Sequence, residues 1–136
     1  IYRTEALMQE TIDKLAELKQ RYKNIQIKDK SSVFNTDWLY AIELGFLLDV
    51  AESMAHSAIA RKESRGSHQR LDGYEERDDE NFLKHTLAFR DADGTTRLEY
   101  SDVKITTLPP AKRVYGGEAD AADKAEAANK KEKANG

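Results

Sequence analysis

Ten consecutive residues, Arg61-Lys62-Glu63-Ser64-Arg65-Gly66-Ser67-His68-Gln69-Arg70, gather three guanidiniums, an ammonium, a carboxylate and an imidazole. A guanidinium offers a planar fork of donors matched to carboxylate or phosphate, so an anion site on a loop is one chemistry this stretch could support. Single-stranded nucleic acid would need aromatic platforms between the cations, and none interleaves here. A formal net charge of −3 also gives no global footprint for nucleic acid or an anionic membrane. An acidic run, Glu75, Glu76, Asp78, Asp79 and Glu80, follows at once. The plainest reading is that the two runs pair with each other or with a neighbouring domain and fix an irregular loop.

The remaining constellations point to no chemistry. His56, His68 and His85 are separated by 12 and 17 residues, which matches no metal-ligand spacing. His56 falls among small and apolar residues, where a hydrogen-bonded packing role is expected. Asp91-Ala92-Asp93-Gly94 resembles the opening of a calcium loop but lacks the later oxygen ligands and the closing Glu. Between two strand patterns it reads as a turn. Ser64, Ser67, His68 and Asp72 have the side-chain types of an acyl-transfer triad without a nucleophile elbow. No Gly-rich phosphate loop follows a strand. The absence of cysteine removes disulfides, thiolate nucleophiles and zinc–thiolate sites, and fits a reducing, cytoplasmic compartment. No catalytic, cofactor-binding or metal residue is assigned, and on residue types alone the chain reads as a helical interaction module.

The elements that would position these residues follow from periodicity. Over residues 3–23, Leu7, Met8, Ile12, Leu15, Leu18 and Tyr22 recur largely at three- and four-residue steps, the pattern of an amphipathic helix with Thr4 as its cap. Residues 24–35 are a connector rich in side chains that bond their own backbone. A second, longer helix runs from a cap at Asn35 or Thr36 to about Lys62, roughly 40 Å at 1.5 Å per residue. Trp38, Ile42, Phe46, Val50, Met54 and Ala58, with neighbouring Leu39, Leu47, Ala51, Ala55 and Ile59, cover a broad apolar face; the helix's second half narrows to Ala51, Ser53, Ala55, Ser57, Ala58 and Ala60, which invites close packing. Gly66 suits a left-handed helix C′ position. Leu83–Arg90 and Thr95–Ile105 flank Asp93-Gly94, a strong hairpin signal. The longest apolar candidates, Trp38–Ile42 and Gly45–Leu48, are broken by Glu43 and Asp49, well short of the roughly 18–20 residues of a membrane span. The expected architecture is mainly α: a helical, bundle-like domain over residues 1–115 with long helices, a C-terminal β-hairpin near 83–105, and a flexible, disordered Ala/Lys/Glu-rich tail over 116–136. The chain opens on Ile1 with no signal-peptide pattern, so a piece of a longer polypeptide is expected.

Three stretches carry a resemblance: HSAIARKESRGSHQRLD (56–72), ERDDENFLKHTLAF (76–89) and YSDVKITTLPPAKRVYGG (100–117). With them the chain, from about Leu15 to Gly136, resembles the C-terminal domain of the fumarate reductase and succinate dehydrogenase flavoprotein family. Its tail from Leu108 is similar to the enterobacterial fumarate reductase branch, while Gly73 and Tyr74 depart from the succinate dehydrogenase pattern. The resemblance implies a parent oxidoreductase subunit that binds FAD and reduces fumarate to succinate in anaerobic respiration. It implies electrons from an iron–sulfur subunit on a quinol-oxidising membrane anchor, at the cytoplasmic face of the bacterial inner membrane. In that family the flavin and capping domains hold the cofactor and the substrate-binding residues, all upstream of the matched region, so no catalytic or flavin-binding residue transfers onto this sequence. The chain itself is then expected to be inactive and to support the flavin domain. Arg61, Glu63, Arg65, His68 and Arg70 become its interdomain docking residues, and Arg65→Ala is expected to loosen that docking more than the chain's own fold. Apart from its neighbour the chain should expose an apolar patch and form a weak homodimer. Two alternatives stand beside this one: the same domain of a succinate dehydrogenase flavoprotein, and a stand-alone helical protein-interaction module.

Overall fold

Thr4 and Asn35 start the two long helices as their types require. In the computed structural model, which describes residues 2–108, 110 and 111, the Thr4 hydroxyl accepts from the Leu7 N–H at 3.4 Å, opening helix α1 (Glu5–Tyr22). The Asn35 side chain accepts from the Trp38 N–H at 2.8 Å, opening α2 (Thr36–Ala60). Each cap satisfies an amide that the first turn leaves without a partner. A two-residue strand β1 (Tyr2–Arg3) precedes α1; β2 (Gln69–Arg70), the one-turn helix α3 (Asp79–Phe82), and the strands β3 (Lys84–Arg90) and β4 (Thr96–Asp102) follow α2. The chain divides into two compact units, Ile1–Lys104 and Ile105–Gly136, and every helix and strand among the described residues lies in the first. The tail expected over 116–136 lies outside the described residues.

The two long helices run antiparallel. Contacts climb one helix as they descend the other: Tyr22 donates its hydroxyl to the Ala41 carbonyl at 2.9 Å, while Leu15 meets Leu48 and Ala55 in the core. Ile12, Leu18 and Ala51 pack around that cluster, and Met8 is buried nearer the start of α1. Gly45 permits the Tyr22 contact, since a Cβ there would stand 2.6 Å from the phenol oxygen. The small residues of α2 therefore meet α1, as their size suggested, with Ala51, Ala55 and Ala58 sharing a groove with Tyr2, Leu7 and Met8.

This pairing uses one side of α2. Its other side is apolar and open: Leu39, Phe46, Leu47, Val50 and Met54 stand 51–65% exposed, and Trp38 is 59% exposed. The amphipathic stripe of α1 is one helix face wide and cannot wrap a helix that is apolar on most sides. The expected bundle thus amounts, among the described residues, to one helix pair.

The hairpin forms where the alternation placed it. β3 and β4 pair antiparallel from Lys84↔Asp102 to Arg90↔Thr96, closed by a turn in which Gly94 has φ +86° and the Gly94 N–H donates to the Asp91 carbonyl at 2.8 Å. Its turn end is tied to the helices by Arg90 on Asp49 at 2.7 Å, and Asp49 in turn pairs with Lys19 at 3.0 Å. Two features departed from the sequence reading. The loop from 63 to 81 is more ordered than its polarity suggested, holding β2 and α3, and β2 pairs in parallel with β1 (Tyr2↔Gln69, Arg3↔Arg70). Gly66 is left-handed as expected, at φ +60°, but α2 has already ended at Ala60; the glycine instead turns the chain inside the Arg65↔His68 bridge.

Candidate functional site: the arginine bend

Where α2 stops, Arg61 takes an extended backbone (φ −84°, ψ 100°) and turns the chain into the segment singled out by its chemistry. At its centre lies Glu63, with no exposed surface. Its Oε1 accepts from Arg61 Nη1 at 2.5 Å and from Arg65 Nε at 2.9 Å. Its Oε2 accepts from Arg65 Nη2 at 3.0 Å and from the Asp78 N–H at 2.8 Å. Burial by itself would raise this carboxyl, but the hydrogen bonds from Arg65, the Asp78 amide and Arg61 outweigh it and hold the group below the usual carboxylate range.

The guanidiniums are turned to partners of the same chain. Arg61 donates to the carbonyls of Phe82 and Lys84, both at 2.9 Å, and to the Thr86 hydroxyl at 2.8 Å, so one side chain fastens the helix end to the base of the hairpin. Arg65 reaches Asp79 at 2.6 Å, and Arg77 takes the other Asp79 oxygen at 2.7 Å. Arg70, 1% exposed, grips Asp72 with two parallel bonds of 2.7 Å, caps the carbonyls of Ile59 and Arg61 at 3.3 Å, and lies over the Tyr74 ring. Asp72 also accepts the Glu5 N–H at 2.6 Å. The Arg70 hydrogen bonds, with this amide behind them, lower the Asp72 carboxyl to about 2.

The segment closes on the start of the chain. Arg3 Nη1 lies 3.4 Å from His68 Nδ1 and donates to the Ser67 carbonyl at 3.3 Å, and His68 Nε2 sits 3.2 Å from the Arg61 carbonyl. The Leu71 N–H donates to the Arg3 carbonyl at 2.9 Å. Ser64 accepts from the Arg70 N–H and donates to the Tyr74 carbonyl, both at 2.8 Å.

This arrangement decides among the chemistries the sequence left open. The five nominated residues, Arg61, Glu63, Arg65, His68 and Arg70, do come together. The donors of the three arginines among them are directed at internal carboxylates and carbonyls, so they form no open anion cradle. Glu63 and Arg70 lie in the interior of the bend, while Arg61, Arg65 and His68 keep part of their surface. The acyl-transfer reading fails on geometry, because Ser64 and His68 spend their bonds on different partners. The basic and acidic runs pair as the plainest reading held, through Arg65 on Asp79, with Arg77 of the acidic stretch on the same carboxylate. The half-buried imidazole of His56 makes no hydrogen bond to another described residue, against the bonded packing role expected of it. Sequence reasoning missed Arg3 and Glu5, which complete the bend from 60 residues away. A basic residue just before a capped helix carries no local signal for such a partner. No helix among the described residues is long and apolar enough to cross a membrane.

Comparison with known proteins adds three observations. A protein-family model described as fumarate reductase flavoprotein C-term matches residues 1–115. The fumarate reductase flavoprotein subunit of Escherichia coli is 83% identical over the whole chain, which covers 23% of that protein, and the succinate dehydrogenase flavoprotein subunit of Rickettsia conorii is 44% identical over 85% of the chain and 20% of its own length. A solved structure of E. coli quinol fumarate reductase superposes with a TM-score of 0.81 at 80% identity, covering 86% of this chain and 20% of that one. The chain therefore spans under a quarter of the curated relatives it matches.

Proposed function

The chain belongs to the fumarate reductase flavoprotein C-terminal family, and from that premise we propose that it is the structural C-terminal domain of a flavoprotein subunit that reduces fumarate to succinate with FAD. The parent's electrons would come from an iron–sulfur subunit on a membrane anchor, and its soluble part would face the cytoplasm. The greater identity to fumarate reductase subunits than to the succinate dehydrogenase subunit favours that branch.

The described residues do not fit a flavin by themselves. A dinucleotide pyrophosphate rests on an open helix N-terminus behind a Gly-rich turn. Here the three helix starts are occupied by Thr4, Asn35 and Asp78, and each first turn carries an acid (Glu5, Asp37, Asp79 with Glu80) that repels phosphate. The cofactor belongs, on this reading, to the flavin and capping domains of the parent, and this chain contributes support.

One observation carries the proposal: the open apolar side of α2. A stripe of Leu39, Phe46, Leu47, Val50 and Met54 left in water is an interface waiting for a cover, and the relatives supply some three quarters of a polypeptide to provide it. The arginine bend would dock alongside through Arg61, Arg65 and His68, with Glu63 and Arg70 holding its shape from inside. The test is Phe46→Glu in the full-length subunit. It should weaken domain packing by about 2 kcal/mol or more, roughly thirtyfold, visible as lost bound flavin and earlier unfolding. The same change should leave the separate chain's unfolding within about 0.5 kcal/mol. Full flavin retention and an unchanged melting curve in the whole subunit would refute the proposal.

A further inference from the structure

The imidazole of His68 lies under the charges of Arg3 from β1, Arg70 from β2 and Arg61 at the end of α2, while Arg65, its backbone partner across the bridge, turns its guanidinium to Glu63 and Asp79. The nearby carboxylates are turned toward other groups, Glu63 to Arg61 and Arg65, Asp72 and Glu5 to Arg70. The two ring nitrogens have different tasks. Nδ1 faces a guanidinium N–H of Arg3 and must accept; Nε2 faces the carbonyl of Arg61 and must donate. Only the neutral tautomer protonated at Nε2 satisfies both. A second proton would set N–H against N–H at Arg3 and add a fourth positive charge to the cluster.

We propose that His68 is a proton-operated latch on the N-terminal strand: neutral, it holds β1 against β2, and protonated, it lets β1 go. The bonds at stake are few, since β1 and β2 pair over two residues each and the Leu71 amide to the Arg3 carbonyl extends that ladder. Burial, together with the charges of Arg3, Arg70 and Arg61, moves the imidazole below its ordinary range despite the opposing bond to the Arg61 carbonyl. The sign follows. A depressed value means the opened strand binds the proton better, so pairing is intact above the solvated imidazole value of about 6.5 and weakens as pH falls below it. Asp72, which also anchors the start of α1 through the Glu5 amide, stays ionised down to about 2 and so acts in a separate, more acidic window.

The experiment is amide hydrogen exchange by NMR on the full 136-residue chain between pH 7 and 4, corrected for intrinsic rates, with the His68 ring titrated in the same samples. Leu71 protection should fall by up to tenfold per pH unit below about 6.5, and level off once the ring is charged in the closed form. The hairpin amides of β3 and β4 should hold steady. In His68→Gln, whose side-chain amide can accept from Arg3 and donate to Arg61, the Leu71 response should be flat. If that variant does not fold, Arg3→Gln serves: removing one cation should raise the His68 midpoint and narrow the pH range over which Leu71 loses protection. A flat wild-type profile, the same fall in His68→Gln, or a fall shared by the hairpin amides would each overturn the latch.

Discussion

The most consequential single side chain is Glu63. A carboxylate without solvent contact is held by two guanidiniums and a backbone amide, and removing one side of such an arrangement costs more than the pairing itself contributes, because the charges left behind remain buried. Glu63→Gln should therefore destabilise the chain by about 3–5 kcal/mol, a fall in melting temperature of roughly 10–20 °C, measured by thermal unfolding. The acid response points the same way. Glu63, Asp72 and Asp79 all sit below the usual carboxylate range, so their contribution is complete above the unfolded values near 4 and drains away as pH falls through the lowered ones. Arg65 illustrates what sequence could not supply. Its charge and neighbours suggested a contact aimed outward, and Arg65→Ala was expected to disturb docking more than folding. With both Glu63 and Asp79 as its partners, the substitution should now destabilise the separate chain measurably as well.

At the scale of elements, the long helices and the hairpin were legible because each is written in local signals. Three- and four-residue apolar steps and the caps Thr4 and Asn35 give α1 and α2, and Asp93-Gly94 between alternating runs gives β3 and β4. The strands β1 and β2 were not legible. Two-residue strands have no periodicity, and the pairing of Tyr2 with Gln69 is a choice made across 67 positions by side-chain geometry in the bend. The α1–α2 seam makes a sharper prediction. In Gly45→Ala the new methyl meets the ring and hydroxyl of Tyr22, and the phenol cannot swing aside without surrendering the Ala41 carbonyl. Helix propensity alone would favour Ala by about 1 kcal/mol, but crowding of this kind costs about 1–3 kcal/mol. A net loss of about 1 kcal/mol in chemical denaturation is expected, and a gain in stability would show that the seam is looser than described.

For the molecule as a whole, burial is the informative quantity. Few apolar side chains among the described residues are enclosed, and much of the large apolar surface of α2 remains in water. Sequence periodicity named the residues of that face correctly, but it could not say which of them α1 would cover, because α2 is apolar on most sides. The consequence for the separate chain is weak self-association through the open stripe. Sedimentation at high concentration should show a dimer that Phe46→Glu converts to monomer; a wild-type chain that stays monomeric throughout would contradict it.

The hairpin is moored at two points of opposite character. At its base, Arg61 is half-buried against Phe82, Lys84 and Thr86; near its tip, the Arg90–Asp49 pair stands about half in solvent, backed by the more enclosed Lys19. Dissolved electrolyte shortens the reach of charge to about 3 Å at 1 M, which weakens the outer mooring and leaves the inner one intact. In strong brine the ribbon would swing like a door about Arg61, its far edge adrift while its hinge stays pinned.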